Sequence, residues 1–391
     1  MDQAANQLPM TAILMILLFA VFGYFLAFPP NQINHQDDQE IRKRYRFDID
    51  YQQEKPVKID RLVIYPCRGI QGIEVDHVKV SKYGIKYDRE WSVYYRNEKL
   101  SPITLSPEIK FTLLRQRIER DPVNKQKYLI FSVIKSHQEE AEKLPSKELK
   151  ILIRKQLDGE VIETGKGHGI SEGPEADAWF SKFLEKDVFL LRSTPSYMKA
   201  VPKKILQQSY DDDMTKGFVS KAAIHIINEA SVRDLSERVL KKYTNPEDIK
   251  RMKIEAMPFR PNFIIDSGVA YSEDTIQEAR IGNTMMRLVG YCSRCKAVTC
   301  NFETNDRNPE LEPTDTLGAY RKHEFGTLFG TYHQVEIIQS QNQFRRLFPN
   351  YPMTKNRKFD NDFSIILKGD EIRVRVAEQR ITFDPKMQKI K

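Results

Sequence analysis

Three of the four cysteines in the chain, Cys292, Cys295 and Cys300, lie within nine residues of one another. A thiolate is the soft ligand of biological metals, and cations next to a thiol, here Arg294 and Lys296, favour that deprotonated form. A metal-binding or reactive thiol is therefore one interpretation. A buried core cysteine is the other interpretation, and for Cys292 and Cys300 the two interpretations are equally supported. Spacing alone does not choose between the two.

A zinc site is a further interpretation, since Cys292 and Cys295 form a Cys-x-x-Cys pair with Cys300 nearby. Structural zinc takes four ligands, often as two such pairs. The remaining cysteine is Cys67, and no histidine lies close to the cluster in sequence. The pattern therefore gives only weak support to zinc.

The composition indicates a folded protein with an anionic partner. The chain has 391 residues, of which 40% are apolar and 30% charged, with a formal net charge of +8. This length allows two compact units, and the charge suits a phosphorylated cofactor, lipid headgroups or an acidic protein. No basic run is interleaved with aromatic residues in a known nucleic-acid-binding pattern, so we expect no nucleic acid partner. Four cysteines do not make a disulfide scaffold, which favours a reducing compartment.

The amino-terminal segment has the length and composition of a membrane anchor. Residues 9–28 carry no charge, and twenty apolar residues suffice for a helix to cross a hydrocarbon core of about 30 Å. Residues 1–30 are therefore predicted to be a single transmembrane anchor, followed by a polar tether over 31–57. Basic residues from Arg42 to Arg46 predict that the remainder faces the cytosol or an equivalent space.

The rest of the chain predicts a mixed α+β fold that is rich in β-structure. Six short β-rich runs with turn signals between them predict a barrel or strongly bent sheet over residues 58–170. Residues 171–391 are predicted to contain a helical layer and a second β-rich unit. Its helices are Pro174–Leu184, with proline in the first turn, and Glu229–Tyr243, with Asn228 as its cap. Residues 339–362 are predicted to be an exposed basic insertion.

Several short stretches, in this order and spacing, resemble a known family. They include Tyr87-Asp88-Arg89-Glu90-Trp91, Phe259-Arg260-Pro261-Asn262-Phe263, Cys292-Ser293-Arg294-Cys295 and Glu312-Pro313-Thr314-Asp315-Thr316-Leu317. Over roughly Lys58–Val376 the chain resembles the MOSC-domain proteins, especially their membrane-anchored, amidoxime-reducing branch on the mitochondrial membrane. The resemblance implies an N-terminal MOSC-type β-barrel joined to a MOSC β-barrel domain, preceded by one transmembrane helix.

The resemblance also implies a cofactor and its contacts. The family binds molybdenum cofactor (molybdopterin), and the position of its catalytic, metal-ligating thiolate falls on Cys295. Arg89, Arg260 and Asn262 fall on positions that hold the pterin and its phosphate, and Arg68 occupies the position of a family lysine. Guanidinium groups suit this task because they grip phosphate oxygens in pairs. Thr299 is expected to place a hydroxyl near the oxo groups of the metal.

This sequence also departs from the family pattern at several polar contacts. The family sequence Pro-Val-Lys-Ser is Pro66-Cys67-Arg68-Gly69 here, which keeps the charge and loses the hydroxyl. The Asp-Thr/Ser before the strand at Ala222 is Ser220-Lys221, and Val-Asp-Pro after the ligand cysteine is Cys300-Asn301-Phe302. Because each lost hydrogen bond to a charged group is worth about 1.5–3 kcal/mol, retention of the cofactor is an open question.

Two functions from different classes follow from the resemblance. The first is a membrane-tethered molybdenum oxidoreductase that reduces N-hydroxylated compounds with electrons from a haem protein and its flavin reductase. The alternative is a catalytically degenerate MOSC-fold subunit of a mitochondrial membrane (respiratory) complex. The oxidoreductase is favoured by the retention of Cys295 and of the motif Arg260-Pro261-Asn262. The accessory subunit is favoured by the altered contacts.

Overall fold

A computed structural model describes residues 57–164, 167–193, 199–200, 215–216, 218, 222–282, 284–338 and 364–376. The predicted anchor, the tether up to residue 56 and the predicted basic insertion lie outside these residues. Within them, no helix combines the length and the apolar character that crossing a bilayer requires.

The described residues form twenty-one strands, most of them short. They are β1 Val57–Ile64, β2 Ile73–Val75, β3 His77–Ser81, β4 Gly84–Ile85, β5 Trp91–Tyr95, β6 Leu114–Arg120, β7 Lys127–Val133, β8 Glu148–Leu152, β9 Val161–Thr164, β10 Gly167–Ser171, β11 Val188–Arg192, β12 Lys199–Ala200, β13 Thr215–Lys216, β14 Ile224–Asn228, β15 Phe263–Asp266, β16 Ile276–Ile281, β17 Thr284–Ser293, β18 Lys322–His323, β19 Gly326–Ile338, β20 Ser364–Leu367 and β21 Glu371–Val376. The prediction of a β-rich fold is confirmed.

Helices are fewer and lie between the strands. The α-helices of the described residues are α1 Gln138–Glu142, α2 Pro174–Leu184, α3 Glu229–Leu240, α4 Pro246–Met252 and α5 Thr314–Tyr320. The 3-10 helices are Ile109–Leu113, Lys135–His137, Met257–Phe259, Ser272–Thr275 and Lys296–Thr299. The predicted helix Pro174–Leu184 has the observed bounds, and the Asn228 side chain caps α3 by accepting from the Ala230 amide.

Seven strands close into a barrel. Their order is β14-β15-β1-β21-β16-β17-β19, and β19 pairs again with β14, which leaves no open edge in the ring. Parallel pairing occurs only between β14 and β15 within this ring. Strand β1, at the start of the described chain, therefore lies in one sheet with strands from its far end. The boundary between the two predicted domains stays a prediction.

The described residues form four smaller sheets besides the barrel. Their strand orders are β5-β11-β10-β9, β6-β7-β8, β20-β3-β4 and β12-β13. Helix α2 packs on β11 and β8 through its apolar stripe, which includes the buried rings of Trp179, Phe180 and Phe183.

Two apolar cores outside the barrel meet at the segment after Cys295. One core contains Trp91, Phe111 and Trp179, and it also takes in Cys300 and Phe302. The other packs α3 and α4 against the barrel wall and takes in Val298. Because neighbouring residues of one short segment are buried in different cores, this segment is held from both sides.

A buried acidic pair connects the barrel with the helices. Glu273 in the 3-10 helix Ser272–Thr275 accepts a hydrogen bond from Ser231 Oγ at 2.8 Å, and its Oε1 has no hydrogen-bond partner among the described residues. Burial, and then the charge of Asp274, raise the pKa of Glu273 to about 8. Arg321 opposes this shift and donates to Asp274 at 2.7 Å. Burial and the neighbouring charge therefore favour the protonated form of the Glu273 carboxyl.

This shift predicts a pH-dependent stability. The folded state holds the Glu273 proton more tightly than the unfolded chain, whose glutamates titrate near pH ~4.3. The stabilisation of the folded state by this tighter proton binding is therefore fully present below that pH. It is lost as the pH rises towards the folded pKa of about 8. Glu273→Gln keeps the neutral form, so its free energy of unfolding in urea should change less between about pH 5 and about pH 9 than that of the wild type. Exposed Glu255→Gln is the control, and equal pH dependence in Glu273→Gln and the wild type would contradict this assignment.

Candidate functional site

The ring of Tyr65 contacts two guanidinium groups. Tyr65 directly follows β1 and is buried, and the Cζ atoms of Arg89 and Arg260 lie 4.3 and 4.4 Å from its ring centroid. Burial raises the pKa of Tyr65, while Arg260 and Arg89 oppose that shift, so the hydroxyl stays protonated. The two arginines are thus held on an aromatic ring by cation–π contacts, which are stronger when desolvated.

Arg89 is fixed by three hydrogen bonds. It donates to Asp88 Oδ2 at 2.6 Å, to Asn262 Oδ1 at 2.9 Å and to the Arg260 carbonyl at 3.0 Å. Arg89 and Arg260 both adopt left-handed backbone conformations, with φ of 52° and 57°. Such conformations are uncommon for residues other than glycine and persist where surrounding contacts hold them.

The side chain of Asn262 uses its full hydrogen-bonding capacity inside the protein. Its amide nitrogen donates to the Val63 carbonyl and to Asp88 Oδ1, at 3.2 and 3.0 Å. Its oxygen accepts from Arg89 and from the His225 amide. Asn262 therefore orients Arg89, and a direct contact with a ligand would require one of these bonds to break.

His225 and Arg294 join the network from the other side. The Arg260 carbonyl accepts a hydrogen bond from His225 Nδ1 at 3.1 Å, while Arg294 donates to His225 Nε2 at 2.8 Å. A histidine with these partners is the neutral Nδ1–H tautomer. Burial, followed by the charge of Arg294, lowers the pKa of His225 well below its usual value, which agrees with that tautomer.

Arg294 also brings the cysteine segment to the arginines. It donates to the carbonyls of Phe259 at 2.8 Å and Phe329 at 2.9 Å. Arg260 directly follows the 3-10 helix Met257–Phe259, Cys295 directly precedes the 3-10 helix Lys296–Thr299, and these two helices pack against each other. The backbone thus places Cys295 beside the element that ends in Arg260.

The four cysteines differ in exposure. Cys295 is exposed, whereas Cys67, Cys292 and Cys300 are buried. Burial raises the pKa of Cys67 and of Cys300, so both are protonated core thiols. Cys292 donates to the Tyr332 hydroxyl on the neighbouring strand. Among the described residues no group of three His, Cys, Asp or Glu side chains could hold a metal ion.

Two of the arginines keep donors that the protein does not use. No hydrogen bond or ion pair to the Arg68 side chain occurs within the described residues, and the Nη2 atom of Arg260 is buried there without a partner. Burial, and then the charge of Arg89, lower the pKa of Arg260 to about 10. Burial also lowers the pKa of Arg68, and Arg89 contributes to that shift.

The charge of the site suits an anionic group. The site contains four guanidinium groups and one carboxylate, that of Asp88. The guanidinium groups belong to Arg68, Arg89, Arg260 and Arg294, and the imidazole of His225 is neutral. Desolvated cations without counter-ions are costly, and a phosphate supplies both charge and acceptors. The orphaned donors of Arg68 and Arg260, with an exposed thiol nearby, therefore fit the phosphate and metal of the implied cofactor.

Thr299 and Asn301, two further positions named in the sequence analysis, have hydrogen bonds within their own segment. Thr299 is buried and its hydroxyl donates to the Lys296 carbonyl at 2.8 Å, so only its acceptor lone pairs remain. Asn301 is exposed, and its side-chain oxygen accepts from the amides of Glu303 and Thr304. Ser220 lies outside the described residues. The roles assigned to Arg68, Arg89, Arg260, Asn262, Thr299 and Cys295 stay predictions.

The sequence interpretation assigned no part in binding the cofactor to four members of the network: Tyr65, Asp88, His225 and Arg294. Asp88 and Arg294 stand inside stretches that carried the resemblance, and Arg294 was considered only as a cation beside the thiol. His225 lies in a strand, and its sequence neighbours are apolar, which gave no signal of its contact with Arg294.

Comparison with known proteins gives two domain matches. Residues 57–187 match the MOSC N-terminal beta barrel domain, and residues 213–342 match the MOSC domain. The first match begins at β1, and the second contains Arg260, Asn262 and Cys295.

Similar full-length proteins fall into two groups. Molybdenum cofactor sulfurase of Solanum lycopersicum is 26% identical over 283 residues, which cover 70% of this chain and 33% of that protein. Mitochondrial amidoxime reducing component 2 is 28% identical in Bos taurus and 26% in Homo sapiens, each over 301 residues that cover 72% of this chain and 80% of the relative. The chain thus spans about a third of the length of the sulfurase and most of the length of the reducing components.

Substitution of the paired Arg89 and of the unpartnered Arg68 should change the stability of the protein by different amounts. Arg89→Met leaves the buried Asp88 carboxylate without its cation, which should cost about 3 kcal/mol or more of the free energy of unfolding. Arg68→Met removes a desolvated cation that has no partner within the described residues, so its stability should stay within about 1 kcal/mol of the wild type. Urea denaturation measures both.

The same two variants separate structural from binding roles. Molybdenum content of the purified protein should fall in Arg68→Met even though its fold is intact. A loss of stability in Arg68→Met equal to that in Arg89→Met would contradict the assignment of an unpartnered guanidinium.

Proposed function

Because the chain belongs to the MOSC-domain family, we propose that it binds molybdenum cofactor and reduces N-hydroxylated compounds at a mitochondrial membrane. The observation that carries the proposal is the exposed thiol of Cys295 beside an arginine cluster whose donors on Arg68 and Arg260 lack partners among the described residues. A site for a small acidic metabolite would need the arginines, but it would not need the thiol next to them.

Each residue has a distinct task in this proposal. The Cys295 thiolate ligates the metal, and Arg68 and Arg260 bind the terminal phosphate. Arg89, Asn262 and Asp88 hold the arginine cluster in shape through the bonds described above. When bound, the cofactor supplies two-electron chemistry, by which the N–OH group of the substrate takes up two electrons and two protons and becomes N–H, with release of water.

Among the described residues, the imidazole of His225 is not placed to exchange protons with substrate. His225 stays neutral because Arg294 donates to its Nε2, and its other nitrogen is bonded to a carbonyl. Neither nitrogen is thus free to exchange a proton with substrate, and we expect protons to come from solvent at the exposed side of Cys295. The chain contains no haem or flavin motif, so the electrons are proposed to come from a haem protein and its flavin reductase.

The share of each relative that this chain covers favours an N-hydroxyl reductase over a molybdenum cofactor sulfurase. The chain covers 80% of the mitochondrial amidoxime reducing components and about a third of the sulfurases. A single-pass anchor at residues 9–28 in a mitochondrial membrane is part of the same proposal. A MOSC-fold accessory subunit without catalysis remains the alternative, supported by the altered contacts at Arg68 and Gly69.

Cysteine substitutions test the proposal. Cys295→Ser should abolish molybdenum content and N-hydroxyl reduction while the free energy of unfolding stays near that of the wild type, because the side chain is exposed. The matched controls Cys292→Ser and Cys300→Ser change buried thiols, and they should retain molybdenum with a loss of stability of roughly 1 kcal/mol. Metal analysis, urea denaturation and an activity assay give the three readings.

Other outcomes would change the assignment. Equal loss of metal from all three variants would indicate a site made by several cysteines. A wild-type protein without molybdenum or reductase activity, even when supplied with cofactor and an electron donor, would contradict the enzyme proposal and favour the accessory subunit.

A further inference from the structure

The backbone that carries Arg68 forms a turn outside the strands, which we call the Arg68 loop and define as residues 67–71. Within the described residues no hydrogen bond or ion pair fixes the Arg68 side chain, so the position of its guanidinium depends on this loop. The loop also orients Arg260, because Arg260 Nη1 donates to the Ile70 carbonyl at 2.7 Å. The two arginines that keep unused donors are therefore placed by the same loop.

A buried glutamine joins the two ends of the Arg68 loop. Gln116 Oε1 accepts a hydrogen bond from the Cys67 amide at 2.8 Å, and Gln116 Nε2 donates to the Gln71 carbonyl at 2.8 Å. Because one partner is a donor and the other an acceptor, the amide group fits in a single orientation. An amide group spans only a few ångströms, so these two bonds hold the ends of the loop close together.

Gln116 is itself part of a sheet. It lies within β6, opposite Phe131 of β7, and only 7% of it is exposed. Strands β6, β7 and β8 form one sheet, which fixes the backbone of Gln116. Because the side chain is buried, water does not compete for its two bonds, and a backbone group left without a partner there would be costly.

Other contacts hold the first half of the loop. The Arg68 amide donates to the Trp91 carbonyl at 2.8 Å, and Gly69 lies against the ring of Phe111. The bonds of Gln116 extend this support to the far end of the loop. Gln71, whose carbonyl Gln116 binds, directly follows Ile70, whose carbonyl binds Arg260.

The charges on the loop explain why a neutral clamp suits this position. Burial is the largest cause of the lowered pKa of Arg68, and the charge of Arg89 contributes. Burial and then Arg89 lower the pKa of Arg260, and Arg68 adds to that effect. A carboxylate in place of the Gln116 amide would reduce this repulsion, but it would also take the part of the anion that the site binds. A neutral amide holds the loop and leaves its positive charge for a ligand.

We propose that Gln116 is a positioning residue of the anion site, which holds the Arg68 loop in the shape that presents Arg68 and Arg260 to a phosphate group. This inference rests on the proposed function, in which these two arginines bind the terminal phosphate of the cofactor. A loop that is ordered before the ligand arrives does not have to be ordered on binding, so preorganisation raises the affinity. Gln116 acts through the loop and takes no part in the chemistry at Cys295.

A second buried glutamine provides a matched control on the full chain. Gln334 of β19 is also 7% exposed, accepts from the Ala223 amide at 3.3 Å and donates to the Lys82 carbonyl at 3.1 Å. Gln116→Met and Gln334→Met therefore remove the same pair of bonds, the first at the Arg68 loop and the second elsewhere. The probe is inorganic phosphate, whose dissociation constant from the cofactor-free chain is measured by calorimetry. Mass spectrometry measures hydrogen exchange of the amides of residues 67–71.

Gln116→Met should bind phosphate at least about tenfold more weakly than the wild type and exchange the loop amides faster, whereas Gln334→Met should match the wild type in both. Both variants should lose similar stability in urea, because each leaves two backbone groups without their partner. Equal phosphate affinity in the two variants would overturn the positioning role. So would weaker binding by Gln116→Met with unchanged exchange of the loop amides, because the effect would then not pass through the loop.

A smaller change keeps the proposal testable if Gln116→Met does not fold. Gln116→Asn keeps a neutral amide that is one methylene shorter and can satisfy only one end of the loop, so phosphate affinity and amide exchange should shift in the same directions. Wild-type values of both in Gln116→Asn would overturn the proposal. If the wild type does not bind phosphate, the proposed function of Arg68 and Arg260 fails, while amide exchange in the variants still decides whether Gln116 orders the loop.

Discussion

The hydrogen bonds of one buried amide, the Asn262 side chain, organise the site. It joins the Val63 carbonyl of β1, the His225 amide of β14 and the carboxylate and guanidinium of Asp88 and Arg89. Strands β1 and β14 are separated by more than a hundred residues in sequence, and they come together because both pair with β15. The position of Arg89 therefore depends on the pairing of these three strands, and the site and the fold are determined together.

The same bonds explain how the protein holds so many like charges. Burying guanidiniums is unfavourable unless they are paired or hydrogen-bonded, and Asp88 alone cannot neutralise four of them. Carbonyl oxygens of Arg260, Phe259 and Phe329 accept from Arg89 and Arg294, and the ring of Tyr65 stabilises Arg89 and Arg260. Among the described residues, these contacts leave Arg68 and one nitrogen of Arg260 unsatisfied. A bound anion at that place would give these unsatisfied donors a hydrogen-bond acceptor and a counter-charge.

Local signals in the sequence predicted the local structure well and the pairing poorly. Asn228 caps α3 as its sequence context predicted, and Pro174 begins α2. In contrast, the region predicted as short β-rich runs also contains the 3-10 helix Ile109–Leu113, in which Phe111 is buried. The membership of β1 in a barrel with β15 and β21 depends on contacts across the whole chain, and no local pattern encodes it.

Contacts of Phe111 connect two of the departures from the family pattern. Gly69 has φ of +93°, and a Cβ there would lie 2.5 Å from Phe111 Cδ2, so a serine at this position cannot coexist with the present ring. The next residue, Thr112, donates a hydrogen bond to Asn305, and Arg115 of β6 donates to the Phe302 carbonyl, so this part of the chain supports the segment after Cys295. Phe111 also shares one apolar core with Cys300 and Phe302. The two departures therefore contact the same packed core, and a side chain at position 69 would require Phe111 to move within it.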